Sequence, residues 1–144
     1  MKIIDCSMYF DEDMILDIRL NTLDKYVSHF IICESQFNHK GIKKKLNFNI
    51  NYFSKFKKKI IYLALDHQPK KLRNINADDT LEVKNSKILD NALLRENYQR
   101  NFFSNYLSKF SEEDLIMIND IDEIPNLNNF TYKNKITIFK QKMF

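Results

Sequence analysis

The sequence predicts an α/β fold: a mostly parallel central sheet flanked by helices, in a single domain over residues 1–144. Three observations carry this. Segments with strand patterning alternate with segments of helical patterning. One of the strands, "HFIICES" (29–35), stays apolar until Glu34, as a central parallel strand covered on both faces requires. Carboxylates also fall at strand ends, at Glu34, Asp66 and Asp120, where ligands collect in open parallel sheets.

In chain order, "KIIDCSMY" (2–9) reads as the first strand. Asp11, Glu12 and Asp13 then place acid where a helix macrodipole favours it. Ile15, Leu16, Ile18, Leu20, Leu23 and Val27 continue as a broad apolar helical face to about residue 27. After the second strand, residues 36–47 are polar and read as a loop. "NFNINYFSKFKKK" (47–59) is an aromatic helical segment with Phe48, Tyr52, Phe53 and Phe56 on one face. "KIIYLALD" (59–66) is a third strand, followed by a long polar loop over 67–84. Ser86 caps a helix expected to run to about Lys109, with Leu89, Leu93, Phe102, Phe103, Tyr106 and Leu107 as its apolar side. "DLIMIND" (114–120) is the fourth strand and "KITIFKQ" (135–141) a fifth.

Composition bounds the function. With 44% apolar and 13% aromatic residues, the chain has ample material for one core. The net charge of +4 comes largely from the lysine runs at 43–45 and 57–59, which read as solvated faces and not as a nucleic-acid surface. No signal peptide or membrane-length apolar run is evident, so a cytoplasmic protein without a membrane anchor is expected. Cys6 and Cys33 sit in apolar runs and read as buried thiols. Gly41 is the only glycine, which excludes a dinucleotide fingerprint and a P-loop. A bound phosphate must then be held by a metal ion, by side chains or by helix N-termini.

"IMINDIDEIPN" (116–126) is the motif that carries chemistry. Asp120 and Asp122, spaced i, i+2 at a strand end, can direct both carboxylates at one hard cation, with waters and phosphate oxygens completing its shell. The acid pattern alone fits a solvated turn equally well. An EF-hand is excluded, because its sixth and twelfth positions would be Pro125 and Thr131. A haloacid-dehalogenase-type phosphatase also ends a strand in Asp-x-Asp, but that strand normally opens the domain. The three histidines and two cysteines show no zinc-ligand spacing. In "LLRENYQRN" (93–101), Glu96 and Arg100 suit a surface ion pair. Alternatively, Arg100 reaches a phosphate at the same sheet edge, supported by Glu96 and Gln99. Glu34 suits either a ribose hydroxyl or a solvated strand end.

Taken together, "MKIIDCSMYFDEDMILDIRLNTL", "FIICES", "KIIYLALD", "RENYQRN" and "DLIMINDIDEIPN" resemble glycosyltransferase family 17, over nearly the whole chain. The resemblance implies a GT-A-like nucleotide-sugar-binding fold with Asp120-Ile121-Asp122 as its DxD motif, binding Mn²⁺ or Mg²⁺ on the donor diphosphate. It implies inverting transfer of N-acetylglucosamine from a UDP-sugar to a glycan acceptor. Glu34, Arg100, Asp120 and Asp122 are then the donor-binding candidates. Arg19 matches the family pattern and suits a structural ion pair as well. Family members continue well past "FKQKMF", so the chain reads as truncated, a donor half without the acceptor half. An inverting transfer needs a base; Glu123 and Asp66 are candidates and neither is assigned. The alternative reading is a catalytically incomplete nucleotide-sugar-binding or interaction module, and a half-length sheet would also suit a homo-oligomer.

Overall fold

Four strands form in the computed structural model, which describes residues 1–140. They are β1 (Ile3–Tyr9), β2 (His29–Ser35), β3 (Ile60–Leu65) and β4 (Leu115–Asn119). All pair in parallel, in the order β3-β2-β1-β4. The chain thus steps outward from β1 to β3 and then returns to the other side of β1. Between β1 and β4 the strand order reverses, the place where open α/β sheets leave a crevice.

Alternation along each strand divides the core into two layers. One joins Tyr9, Phe30, Ile32 and Met117 to Leu16, Leu20 and Leu23 of helix α1 (Asp13–Leu23). Phe53 and Phe56 of a 3-10 helix (Ile50–Phe56) complete this layer. The other joins Ile4, Cys6, Ile31, Cys33 and Leu65 to Phe103, at the end of helix α2 (Leu81–Asn101). Both faces of β1 and β2 are covered, so successive residues of each strand are buried, the polar Asp5 and Ser7 of β1 included.

Several elements differ from the sequence expectation for identifiable reasons. Helix α1 stops at Leu23, and Val27 is buried in the connection to β2. Ile18 faces solvent, whereas Arg19 occupies the buried stripe between Leu16 and Leu23. The aromatic segment is not α: two short 3-10 pieces meet at a kink at Phe53, with Phe53 and Phe56 buried and Tyr52 turned outward.

Helix α2 begins five residues before Ser86, capped by the Thr80 hydroxyl, which accepts from the Val83 N–H at 3.4 Å. Leu89 and Leu93 of α2, expected in the core, are exposed. Here the helix is held by polar clamps instead. The Asn91 side chain exchanges two hydrogen bonds with the Arg73 backbone, at 2.7 and 2.9 Å, and Lys87 pairs with Asp79. These bonds fasten the polar loop after β3. The long helix also breaks at Phe102, and a short α3 (Ser104–Leu107) follows.

The fifth strand does not form over 135–140; residue 141 lies outside the described residues. Ile136 and Ile138 are exposed. This segment faces β4 across a cavity of about 410 Å³ without laddering to it. Period-two patterning is compatible with a strand, but a strand exists only when its backbone groups find partners. No helix among the described residues is long and apolar enough to cross a membrane.

Cys6 and Cys33 are free and buried. Burial, with the Glu34 charge adding to it, pushes the Cys33 thiol up to about 12. Burial raises Cys6 as well, reinforced by Asp5. Neither thiol should react with a disulfide reagent at pH 8 in the folded protein, and both should react in denaturant. Above the ordinary thiol value of 9.0 the unfolded chain ionises while the folded chain does not, so stability should fall as pH rises past that point. Thiol titration with and without urea, and melting curves from pH 8 upward, check both statements.

Candidate functional site

The crevice predicted by the strand order is present. A cavity of about 570 Å³ opens at the carboxyl ends of the sheet. Tyr9, Phe10 and Glu12 line it after β1, Phe37 to His39 after β2, and Asp120 to Asp122 after β4. Helix α2 closes one side with Arg95, Glu96 and Gln99. Gln99 is anchored by donating to the Cys33 carbonyl at 2.8 Å.

The acidic turn is shaped from behind by Arg19. Its Nε and Nη2 form a two-pronged pair with buried Asp5, at 2.8 and 2.7 Å. Its Nη1 donates to the carbonyls of Asp120, Ile121 and Glu123 at 3.0, 3.2 and 2.9 Å. Arg19 and Asp5 are 0% and 1% exposed, so the contact is dry. Arg19 is therefore the structural ion-pair partner, and its reach extends to the motif backbone.

The three clustered carboxylates separate. Asp120 Oδ1 accepts from Arg100 at 2.8 Å, and Arg100 also donates to Glu96 at 3.2 Å. Glu123 folds back on the turn: its carboxylate accepts from the Asp120 N–H at 3.3 Å, and its own N–H donates to the Asp120 carbonyl at 3.0 Å. Asp122 is exposed, lines the cavity, and among the described residues accepts no side-chain hydrogen bond.

Two sequence candidates are displaced by these contacts. Glu34 is fully buried and is not a lining residue. Its carboxylate accepts from the Asn47 and Phe48 N–H groups at 2.8 and 3.1 Å, from the Tyr62 hydroxyl at 2.8 Å, and pairs with Lys44. With both oxygens committed, it anchors the 44–48 segment and has none left for a ribose. Arg100 pairs through Nη2 with both Asp120 and Glu96 and is not among the residues that line the cavity. Burial alone would lower the Arg100 pKa, but the Asp120 and Glu96 charges outweigh it and raise it.

Of the base candidates, Glu123 is tied into the turn. Asp66 lies outside the cavity lining, bonded to His67 Nδ1 at 2.7 Å, with His67 Nε2 at 2.8 Å from the Tyr98 hydroxyl. The His67 contact holds the Asp66 carboxyl below its usual range.

Arg95 was missed by sequence reasoning. The i, i+4 spacing of Glu96 and Arg100 points to that pair, whereas the partners of Arg95 are distant in sequence: Gln68 and His39. The available signal was position. Arg95 and Gln99 are spaced i, i+4, and Glu96 and Gln99 i, i+3, so each pair shares a face of the helix.

Comparison with known proteins finds a family match and two curated relatives. A family model, Glycosyltransferase family 17, matches residues 1–135. Two curated proteins are each 30% identical over 117 residues, one from Homo sapiens and one from Rattus norvegicus. Both are named beta-1,4-mannosyl-glycoprotein 4-beta-N-acetylglucosaminyltransferase. The match covers 77% of this chain and 19% of each relative, so the chain spans about a fifth of their length. No solved structure matches the chain.

Arg19→Ala should cost about 3–5 kcal/mol, because it leaves Asp5 buried and unpaired. Asp5→Ala/Arg19→Ala should cost less than the sum of its single changes, as urea denaturation of the three variants would show. Glu34→Ala should destabilise by a similar amount, about 3–5 kcal/mol, and speed amide exchange at Asn47 and Phe48. If Glu34 instead bound ligand, its removal would weaken nucleotide binding and leave stability unchanged.

Proposed function

The chain belongs to glycosyltransferase family 17, and from that premise we propose that its cavity binds a nucleotide sugar together with a divalent cation. The donor is a UDP-sugar, with N-acetylglucosamine as the sugar to be transferred, with inversion, to a glycan acceptor. The observation that carries this reading is the pair Asp120 and Asp122 lining one crevice at the β1/β4 reversal, with the Asp122 carboxylate available to a ligand.

The residues present suit Mg²⁺ or Mn²⁺. Both take oxygen ligands, and Mg²⁺ is commonly held by one or two carboxylates plus substrate phosphates and water. Among the described residues no three His, Cys, Asp or Glu side chains converge into a cage. That donor set suits an ion arriving with its diphosphate. Asp122 would ligate it directly, and Asp120 would do so while shared with Arg100. The ion would supply charge neutralisation on the departing nucleotide diphosphate.

The chain's own residues supply position. Arg19 fixes the turn carbonyls, so the Asp122 side chain leaves a backbone held at three points. Arg100 orients Asp120 from α2. Tyr9 and Phe10 give the cavity an aromatic wall suited to a base or sugar face.

A second reading, donor binding without turnover, is favoured by one observation. The other lining carboxylates already have partners: Glu12 accepts from the Phe10 and Asp11 N–H groups, and Glu96 from Arg100. Release of UDP from the donor, with or without a glycan acceptor, separates the two readings.

UDP-N-acetylglucosamine at 100 times its dissociation constant should stabilise the protein by about 2.7 kcal/mol, and only with Mn²⁺ or Mg²⁺ present. Asp122→Ala should remove this stabilisation while leaving the metal-free melting temperature within about 2 °C, as expected for an exposed side chain. A thermal-shift panel of nucleotide sugars, with and without Mn²⁺, reads both. A panel without any shift would count against the proposal.

A further inference from the structure

Gly41 is the single glycine in 144 residues. It sits in the turn after β2, where its N–H donates to the Asn38 carbonyl at 2.8 Å. Its φ of +82° is left-handed backbone, which favours glycine. A second constraint is steric. A Cβ at this position would lie 2.4 Å from Arg95 Nη2 and 2.7 Å from Arg95 Cζ. The guanidinium therefore rests against bare backbone, in space that any side chain at position 41 would fill.

Arg95 is held there by neutral partners. Its Nε donates to Gln68 Oε1 at 2.7 Å and its Nη1 to the His39 carbonyl at 2.9 Å. Unlike Arg100, it has no carboxylate partner among the described residues, and Nη2 donates no hydrogen bond there. The cavity thus carries an oriented, uncompensated cation at Arg95 and an uncompensated carboxylate at Asp122. A ligand that answers both is an anion bearing its own cation, and a metal-bound diphosphate is such a ligand. With Nε and Nη1 already donating, Nη2 is the nitrogen left to donate a charge-assisted hydrogen bond to a phosphate oxygen.

We propose that Arg95, seated on Gly41, is the phosphate-binding arginine of this cavity and contacts the diphosphate of a nucleoside diphosphate or its sugar ester. This rests on the nucleotide-sugar reading and sharpens it, assigning phosphate recognition to Arg95 and leaving Arg100 to Asp120. The lone glycine then serves the site by making room for an arginine, not by cradling phosphate with its own N–H.

The test is calorimetric titration of the full chain with UDP and with uridine, in Mn²⁺. Wild type should bind UDP more tightly than uridine. Arg95→Gln should weaken UDP by about tenfold to a hundredfold, the range for hydrogen bonds to charged groups, and leave uridine unchanged. Arg95→Lys should restore part of the loss. Gly41→Ala should weaken UDP in the wild-type background and have no further effect on UDP in the Arg95→Gln background. If Gly41→Ala does not fold, the two Arg95 variants decide alone. Equal UDP affinity in wild type and Arg95→Gln would overturn the assignment and leave the nucleotide-sugar reading standing. Parallel loss of uridine and UDP in Arg95→Gln would also overturn it, showing a structural role. Failure of wild type to bind UDP at all would overturn the underlying reading itself.

Discussion

One buried ion pair, Arg19 with Asp5, joins two segments fourteen residues apart to a turn 101–104 residues further along the chain. Asp5 lies on β1, Arg19 on α1, and the carbonyls of 120, 121 and 123 on the turn after β4. A dry ion pair is weak evidence for stability, because desolvating two charges offsets much of their attraction. Its role here follows from the third set of bonds. Well-packed apolar residues could replace the charges, but the three turn carbonyls would then lose their donor in a closed interior, at a cost for each unsatisfied group. The arrangement therefore makes sense as a device that specifies the shape of the acidic turn.

With the backbone held, the crowding of negative charge resolves by direction. Asp120 turns toward Arg100, Glu123 back onto the turn's own amides, and Asp122 outward into the cavity. Each carboxylate faces a different donor or solvent, so the turn needs no ion of its own to fold. A cation that binds there therefore meets a backbone already shaped, and little ordering cost is charged against its affinity. The turn is organised by protein contacts on its inner side and left open on its outer one.

The sheet was legible because burial on both faces leaves a plain apolar signature, and β1 to β4 fall within a residue or two of expectation. The placement of Asp120 and Asp122 at the end of β4 was legible because strand ends and acid spacing are local features. What sequence reading missed is non-local or conditional. Arg19 interrupts an apolar helical stripe between Leu16 and Leu23, a visible anomaly, yet its partner fourteen residues earlier could not be read from spacing. Glu34 looked like a strand-end ligand because nothing in its neighbourhood announces Lys44, Asn47, Phe48 and Tyr62 as donors. Leu89 and Leu93 have helical spacing, but polar clamps hold that half of α2, so the pattern does not reach the core. Residues 135–140 carry strand periodicity with no ladder to join.

Scarcity of glycine has a physical consequence for how this cavity can hold an anion. A glycine-rich loop binds phosphate through backbone N–H groups, whose positions are set by the chain itself. Here the ligating atoms would be at the ends of long side chains, which lose rotamer freedom when they bind unless something holds them beforehand. The structure supplies that restraint separately for each polar group that shapes the site. Arg95 is fixed by Gln68, the His39 carbonyl and the bare backbone of Gly41; Asp120 is fixed by Arg100; Gln99 is fixed by the Cys33 carbonyl. Asp122, by contrast, has no side-chain hydrogen bond among the described residues. It is also a short side chain with few rotamers to lose, so the missing restraint costs least there.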